Sequence, residues 1–364
     1  MSNQINRVEL LKKLTMAKPA VSAQAYIPIL SHFMFDGDSV TAYNDINAIT
    51  VLCDTGIHGC LPAELLIKTL SSFSSDAVLF VQDTGQVIVS AGRSKIKLPT
   101  LPAADFPYSP NKWQHGASNK KEDKCIGSFK MTDVMLKGLK KCLIGVGTDT
   151  AHPATMGVTL DPMYSKTQAA FYSTDNTTLS RFLFNTAMEI PGDMHVIMPT
   201  FFCNQILSLV KGTEAVEIEI YAGSLVAIFA DGTLLFTKTI ADLEPMDFPK
   251  VIDKYMDTDS GKTLDIPDVF DQSIERALLI QSAEPNKTTL VTVENKKLVL
   301  ESVSKYGESR DEMSYAGDDV QFKIDSAKVK RVTPVTTKMS LLPKVLVLSD
   351  DNQEFIHLIA HCSM

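Results

Sequence analysis

Lysines recur on one side of several predicted helices, and a lysine ammonium can attract a phosphate group through charge alone. In residues 131–144, apolar side chains recur at helical spacing while lysines fill the opposite side. The apolar positions are Met135, Leu136, Leu139 and Leu143, and the lysines are Lys137, Lys140 and Lys141. Such a stripe could hold a polyanion without reading its sequence, although an ordinary solvated helix face has the same pattern.

Two further segments show the same arrangement. Near the start of the chain, Lys12 and Lys13 are predicted to lie closer to solvent than the apolar positions Val8, Leu11 and Leu14. Lys328, Lys330 and Arg331 crowd a short helix that Asp325-Ser326 could cap. The whole chain nevertheless has a formal net charge of −8. Any contact with a nucleic acid is therefore expected to be confined to one surface.

The other reactive residue types show no spacing that indicates catalysis or metal binding. The six cysteines lack paired ligand spacing and are predicted to be reduced and mostly packed, and the seven histidines are scattered. No phosphate-binding loop, serine-hydrolase elbow or zinc-protease motif is found. We therefore predict that the protein is not an enzyme and needs no metal or other cofactor. The sequence also has no long apolar run or secretion leader, which predicts a cytoplasmic location.

The elements that position these lysines are repeated along the chain. Residues 92–107 and 238–249 are similar: a strand-like run, at 94–98 in the first and at 234–238 in the second, is followed by Asp-Phe-Pro, where a strand must stop. A degenerate repeat of this kind indicates duplicated domains, and 364 residues are enough for two or three of them. We predict domains at 1–124, with a polar linker from residue 108, at 125–253 and at 254–364.

The chain resembles, over its whole length, the sliding clamps of the bacterial DNA polymerase III beta subunit type. The segments that carry the resemblance are Ile27-Pro-Ile-Leu30, Gly92-Arg-Ser, Thr100-Leu-Pro-Ala-Ala-Asp-Phe-Pro107, Gly157-Val158, Ser173-Thr-Asp175, Val196-Ile-Met-Pro199, and the exit from Asp247-Phe248 to Val251-Ile252. The resemblance implies an α+β DNA clamp fold of three repeated domains, each of two βαβββ-type units. Helices would line a pore and sheets would form the outside.

The resemblance also implies a function and partners. Two copies would close into a homodimeric ring that encircles duplex DNA, independently of its sequence. The ring would tether DNA polymerase, the clamp loader and other replication proteins through their short linear motifs. The rival hypothesis is a clamp-like scaffold that binds replication proteins without stably encircling DNA.

In a clamp, the lysine stripes would have a physical role, because weak phosphate contacts would hold DNA while allowing it to slide. The residues assigned to DNA binding are Lys12, Lys13, Gln24, Lys68, Lys137, Lys140, Lys141, Lys211, Lys328 and Arg331. Gln24 corresponds to a position that is often an arginine in the family, so its role stays open.

The resemblance also implies a peptide pocket between the second and third domains. Its residues here would be Thr174, Leu179, Met246, Lys250, Val251, Val345, Leu346, Ala360, His361, Cys362, Ser363 and Met364. One wall, Thr-Asp-Gly-His-Arg-Leu in the family, reads Thr-Asp-Asn-Thr-Thr-Leu at residues 174–179, and the C-terminal residues also differ. Either the pocket has a new specificity, as in a divergent clamp encoded by a bacteriophage, or the substitutions are drift around an unchanged pocket.

At the subunit boundary, the family packs domain one of one copy against domain three of the other. The corresponding residues here are Phe106 and Tyr108, facing Ile280 and Gln281. A glutamine at an apolar interface could loosen the ring, or it could form a hydrogen bond across the boundary.

Overall fold

The computed structural model describes residues 2–23, 26–109, 124–185, 190, 194–210, 212, 215–239, 246–256 and 262–363. Within these residues the chain forms 24 strands and seven α-helices. The helices are α1 (Arg7–Ala17), α2 (Ala63–Ser72), α3 (Asp133–Cys142), α4 (Thr200–Leu209), α5 (Phe248–Met256), α6 (Phe270–Ile280) and α7 (Ser326–Val332). None of the described helices is both long enough and apolar enough to cross a membrane.

The strands are numbered in chain order. The first nine are β1 (Ser2–Asn6), β2 (His32–Asp36), β3 (Ser39–Tyr43), β4 (Asn47–Leu52), β5 (His58–Pro62), β6 (Ala77–Asp83), β7 (Gln86–Ala91), β8 (Ser94–Pro99) and β9 (Gly127–Met131). The next seven are β10 (Gly157–Asp161), β11 (Gln168–Thr174), β12 (Thr178–Asn185), β13 (Val196–Pro199), β14 (Val216–Tyr221), β15 (Ser224–Phe229) and β16 (Leu234–Lys238). The last eight are β17 (Leu264–Asp265), β18 (Thr288–Glu294), β19 (Lys297–Ser304), β20 (Gly307–Ser314), β21 (Val320–Asp325), β22 (Lys338–Leu341), β23 (Val345–Ser349) and β24 (Phe355–Ala360).

The contacts divide the chain into two compact units. The first comprises residues 1–132, 188–190 and 204–241, and the second comprises residues 133–187, 191–203 and 242–364. The strand and helix content confirms the α+β class. The division into three domains at 124/125 and 253/254 stays a prediction.

The first unit contains a four-stranded sheet and an eight-stranded sheet. The smaller has the order β1-β6-β7-β8, and the larger has the order β5-β2-β3-β4-β16-β15-β14-β9. Helix α1 begins where the Asn6 side chain accepts a hydrogen bond from the Glu9 backbone N–H at 3.1 Å, which satisfies a donor of the first turn. Apolar side chains bury one face of the small sheet, as in β7, where Val87 and Val89 are buried and alternate with partly exposed residues.

The second unit has the same two kinds of sheet. Its eight strands have the order β13-β10-β11-β12-β24-β23-β22-β17, and its four strands have the order β20-β19-β18-β21. Helix α3 packs closely on the larger sheet because Gly138 has no side chain. A Cβ atom at that position would lie 2.2 Å from the Phe182 ring. The cap predicted for α7 is present, since the Asp325 carboxylate accepts hydrogen bonds from the backbone of Ala327 and Lys328.

The structure differs from the sequence-based expectations at several elements. Residues 28–31 form a short 3-10 helix, whereas Ile27-Pro-Ile-Leu30 is predicted from the sequence to be extended. The second Asp-Phe-Pro does not simply end a strand, because α5 begins at Phe248 with Pro249 in its first turn, where proline needs no hydrogen-bonded N–H. The sequence patterns predict no strand at β5, β12, β13, β17 or β20.

Candidate functional site

Helix α3 presents two lysines to solvent, as its spacing predicts. Lys137 and Lys140 are exposed and form no ion pair with the described residues, whereas Met135, Gly138, Leu139 and Cys142 form the buried face. The exposed Arg331 guanidinium donates a hydrogen bond of 2.6 Å to the Ile144 carbonyl oxygen, just beyond the end of α3. This hydrogen bond places the Arg331 guanidinium beside the C-terminal end of α3, the helix that carries Lys137 and Lys140. We call Lys137, Lys140 and Arg331 the basic patch.

Lys141 points away from this patch. Its ammonium lies 2.8 Å from the Asp350 carboxylate and stands over the rings of Phe182 and Phe355, at 5.8 and 5.2 Å from their centroids. The aromatic rings and the carboxylate together satisfy this cation inside the second unit. A phosphate contact at Lys141, as the sequence suggested, would require this ion pair to break.

Two of the three basic residues of α7 are also engaged in ion pairs. The Lys328 ammonium lies 2.9 Å from the Asp175 carboxylate. Lys330 bridges Asp271 at 2.6 Å and Glu275 at 2.5 Å on α6. Acidic residues of α6 and of the segment between β11 and β12 therefore neutralise Lys330 and Lys328, and a phosphate contact at Lys328 would require its ion pair to break.

In the first unit, Lys12 is exposed and without an ion pair to the described residues. Lys13 pairs with Glu9 and Lys68 pairs with Glu64, each at 3.1 Å within its own helix. Exposed pairs of this kind are weak and break easily, so both lysines stay compatible with phosphate contact. Gln24 and Lys211, also predicted to contact DNA, lie outside the described residues.

Three of the four residues predicted for the interface are buried within their own units. Phe106 and Tyr108 are only 8% and 9% exposed, because they belong to an aromatic core of the first unit in which Tyr108 stacks on Tyr43 at 5.0 Å. Gln281 is only 2% exposed and donates a 2.5 Å hydrogen bond to the Thr288 carbonyl oxygen. The side-chain N–H of Gln281 is therefore engaged within its own unit, and its role in an interface between copies stays a prediction.

Exposed apolar side chains lie next to Gln281 instead. Leu279 is 75% exposed, and Val303 and Tyr306 are 72% and 66% exposed. The Ser304 hydroxyl donates to the Ile280 carbonyl oxygen at 3.0 Å, which brings the β19–β20 hairpin to the end of α6. Buried residues of α6 recur at helical spacing, at Phe270, Ser273, Ile274 and Ala277, and the same spacing continues to position 281. This spacing predicts that residue 281 is buried and that residue 279 is exposed.

A cavity in the second unit contains half of the residues predicted for the peptide pocket. Its volume is about 220 Å³, and its lining residues are Thr174, Asn176, Thr177, Thr178, Leu179, Met246, Val251, Tyr255, Val345, Leu358 and Ala360. None of these residues is charged. The larger sheet supplies the floor, because β12, β24 and β23 are neighbours in it, and α5 supplies the wall that carries Val251 and Tyr255.

The other predicted pocket residues lie outside the cavity lining. Leu346 is buried, and Lys250 precedes Val251 on α5 without lining the cavity. Beyond Ala360, the chain is held by β21. The His361 ring stacks on Phe322 at 3.6 Å, and the Cys362 N–H donates to the Lys323 carbonyl oxygen at 2.8 Å. Ser363 is exposed and does not line the cavity, and Met364 lies outside the described residues.

Comparison with solved structures identifies the fold as the DNA clamp fold. The chain matches the DNA polymerase III subunit beta sliding clamp of Bartonella birtlesii with a TM-score of 0.86 and 18% identity, over 100% of both chains. It matches the clamp of Pseudomonas aeruginosa with a TM-score of 0.84 and 18% identity, also over 100% of both. The clamp of Bacillus subtilis gives 0.84 and 18%, over 100% of this chain and 99% of that one.

Sequence comparison points the same way. The chain is 24% identical to the beta sliding clamp of Streptococcus pneumoniae R6, over 98% of this chain and 97% of the relative. It is 24% identical to the beta sliding clamp of Caulobacter vibrioides, over 81% and 79% of the two chains. No family model matches the sequence. These findings confirm the resemblance inferred from the motifs: the chain is similar over its length to bacterial beta sliding clamps and has diverged from them in sequence.

Proposed function

We propose that this protein is a DNA sliding clamp, a polymerase processivity factor that works as a ring around duplex DNA. The observation that carries the proposal is the full-length DNA clamp fold, with TM-scores of 0.84 to 0.86 to solved bacterial clamps. The similarity in sequence over 98% of the chain supports it independently. The role is non-catalytic, since a clamp acts by holding its partners to DNA.

The basic patch is the proposed DNA contact of the second unit. Lys137, Lys140 and Arg331 are exposed cations in an otherwise acidic protein of net charge −8. Contacts of this kind neutralise phosphates without reading bases, so they permit sliding. In the first unit, the proposed DNA contact is Lys12. Lys13 and Lys68 join it when their ion pairs to Glu9 and Glu64 open.

A second copy of the chain is the proposed partner of two open sheet edges. Strands β8 and β20 end their four-stranded sheets, and within the described residues each has a neighbouring strand on one side only. Lys95 and Lys97 are exposed on β8, while Glu308 and Glu312 are exposed on β20. Pairing of these edges between copies would satisfy unpaired backbone groups, join opposite charges and cover Leu279 and Val303.

The cavity of about 220 Å³ is the proposed site for linear motifs of DNA polymerase and the clamp loader. Its apolar floor suits aliphatic or aromatic anchor side chains of an extended peptide. Since no lining residue is charged, binding should depend little on salt. Thr177 and Thr178 line the cavity where the family has a His-Arg pair, so a basic side chain is replaced by a neutral one. This change favours an altered specificity over drift around an unchanged pocket.

Retention on DNA of different topology tests the proposal. Protein assembled on a nicked circular plasmid by a clamp loader should stay bound through gel filtration and be lost when the plasmid is linearised, because a ring slides off a free end. A protein that binds circular and linear DNA equally would instead be the clamp-like scaffold. Light scattering at micromolar concentration should give about twice the chain mass of 39.9 kDa.

A further inference from the structure

The wall of the cavity that carries Asn176, Thr177 and Thr178 is a tight hairpin between β11 and β12. Asn176 has a φ of 70°, in the left-handed region that asparagine tolerates better than most residues. The Thr174 hydroxyl donates to the Thr178 carbonyl oxygen at 2.6 Å and accepts from the Asn176 N–H at 3.0 Å. These hydrogen bonds hold the hairpin backbone in one conformation, and its residues Thr177 and Thr178 line the cavity.

The Asp175 carboxylate organises this hairpin. One of its oxygens accepts hydrogen bonds from the N–H and hydroxyl groups of both Thr177 and Thr178, at 2.6 to 3.0 Å. The other accepts from the Lys328 ammonium at 2.9 Å, and Lys328 also donates to the Thr177 hydroxyl. Burial alone would raise the pKa of Asp175, but the hydrogen bonds from Lys328 and Thr177 outweigh it and lower this pKa to about 2.

The Lys328–Asp175 pair is well shielded from water. The two side chains are only 24% and 19% exposed, unlike the surface pair of Lys68 and Glu64, at 71% and 76%. A shielded pair with additional hydrogen bonds holds its geometry better than an exposed one. Lys328 itself does not line the cavity. Its effect on a ligand must therefore pass through the hairpin.

We propose that Lys328 is a positioning residue of the peptide site: through Asp175 it fixes Thr177 and Thr178 as the wall against which a neutral peptide segment packs. The inference rests on the proposed function, because it concerns the same cavity. It reverses the role that the sequence suggested for Lys328, which was a contact to DNA phosphate. A site of this kind binds more tightly when its wall is fixed beforehand, since the ligand does not have to order it.

The test compares the full-length protein with Lys328→Met, Asp175→Asn and the matched control Lys330→Met, which removes a paired lysine from the same helix. The probe is a fluorescein-labelled clamp-binding peptide of a bacterial replicative polymerase, followed by fluorescence anisotropy. We expect Lys328→Met and Asp175→Asn each to weaken binding roughly tenfold, and the double variant to be no weaker than either. Lys330→Met should bind like the unaltered protein, and binding to duplex DNA should be the same for Lys328→Met.

Hydrogen exchange separates this inference from the proposed function. In Lys328→Met the Thr177 and Thr178 amides should exchange several-fold faster than in the unaltered protein, with other amides of β12 unchanged. Unchanged exchange at those two amides would overturn the inference, and so would a loss of DNA binding without a loss of peptide binding. If the unaltered protein does not bind this peptide while the exchange result holds, the proposal that the cavity accepts the bacterial motif is refuted, and the restraint of the hairpin by Lys328 is retained.

Discussion

The Lys141 ammonium lies 2.8 Å from the carboxylate of Asp350, which is 209 positions further along the chain. The neighbouring Lys140 has no such partner among the described residues. Two adjacent lysines of one helix therefore have different roles. Lys141 ties α3 to the turn before β24, and Lys140 is left for solvent or for a polyanion.

We expect Lys137→Gln and Lys140→Gln together to weaken duplex DNA binding and flatten its salt dependence. In a plot of the logarithm of the binding constant against the logarithm of the salt concentration, each lost phosphate contact should make the slope shallower by about one. The double variant should therefore lose about two from the slope per subunit. Binding measured between low and moderate salt tests this. Lys141→Met is the control. An unchanged slope in the double variant, or an equal change in Lys141→Met, would contradict the assignment.

Lys141→Met should instead affect stability. The side chains of Lys141 and Asp350 are 23% and 19% exposed, so loss of the lysine leaves a poorly solvated carboxylate. We expect the free energy of unfolding to fall by roughly 1–2 kcal/mol, measured by urea denaturation at neutral pH. Lys137→Met, which removes an exposed and unpaired lysine, should change it by less than about 0.5 kcal/mol. Equal stabilities for the two variants would show that the ion pair is not maintained in solution.

Charge reversal tests the edges that are proposed to join two copies. Lys95→Glu with Lys97→Glu, and separately Glu308→Lys with Glu312→Lys, should each yield monomers, because like charges would then face each other. An equimolar mixture of the two variants should form dimers, since both junctions of a mixed ring pair opposite charges. Analytical ultracentrifugation distinguishes these states. Dimers in both separate variants would exclude these residues from the interface.

The cavity can be tested at Met246, which is 42% exposed and can be replaced without opening the core. Met246→Asp should weaken binding of the labelled clamp-binding peptide by about tenfold or more, since it puts a charge against an apolar anchor. Met163→Asp, at a residue that is 61% exposed and outside the cavity lining, should bind normally. Cys362→Ser should also bind normally, because this residue pairs with β21. Loss of binding in the Met163 variant would indicate a different site.

Acid should destabilise the protein through His357. Burial lowers the pKa of this imidazole from 6.5 to about 3, while its Nδ1 atom is hydrogen bonded to the Ser180 hydroxyl at 2.7 Å. Between these values the unfolded chain binds a proton that the folded chain does not. The contribution of His357 to the free energy of unfolding is therefore complete above about pH 6.5. As the pH falls below 6.5, the free energy of unfolding decreases by up to about 1.4 kcal/mol per pH unit.

The measurement compares His357→Asn with the unaltered protein by urea denaturation from pH 7.5 to pH 4. The variant should be less stable at neutral pH, and the difference should shrink as the pH falls. His361, whose pKa burial lowers to about 4, contributes in the same direction and is replaced in a separate variant. A difference that is constant with pH would show that His357 does not remain neutral in the folded state.

The fold class and helix α3 could be predicted from the sequence. Apolar periodicity fixes which side of α3 faces the sheet, and the capping residues Asp325-Ser326 fix where α7 begins, because both signals are local. Local signals do not predict strand β20, because its mostly polar residues show no apolar alternation. Its pairing is supported across strands instead, where Arg310 contacts Glu301 and Lys297 lies 2.6 Å from Glu312.

Which charged residues are available for a partner depends on contacts made in the folded chain. Lys141, Lys328 and Lys330 carry the same charge in the sequence as Lys137 and Lys140, but their partners come from distant segments. The cavity is likewise assembled from β11, β12, α5, β23 and β24, and the last residues leave it by pairing with β21. Ion pairs and cavities depend on distances in space, which residue spacing along the chain does not contain.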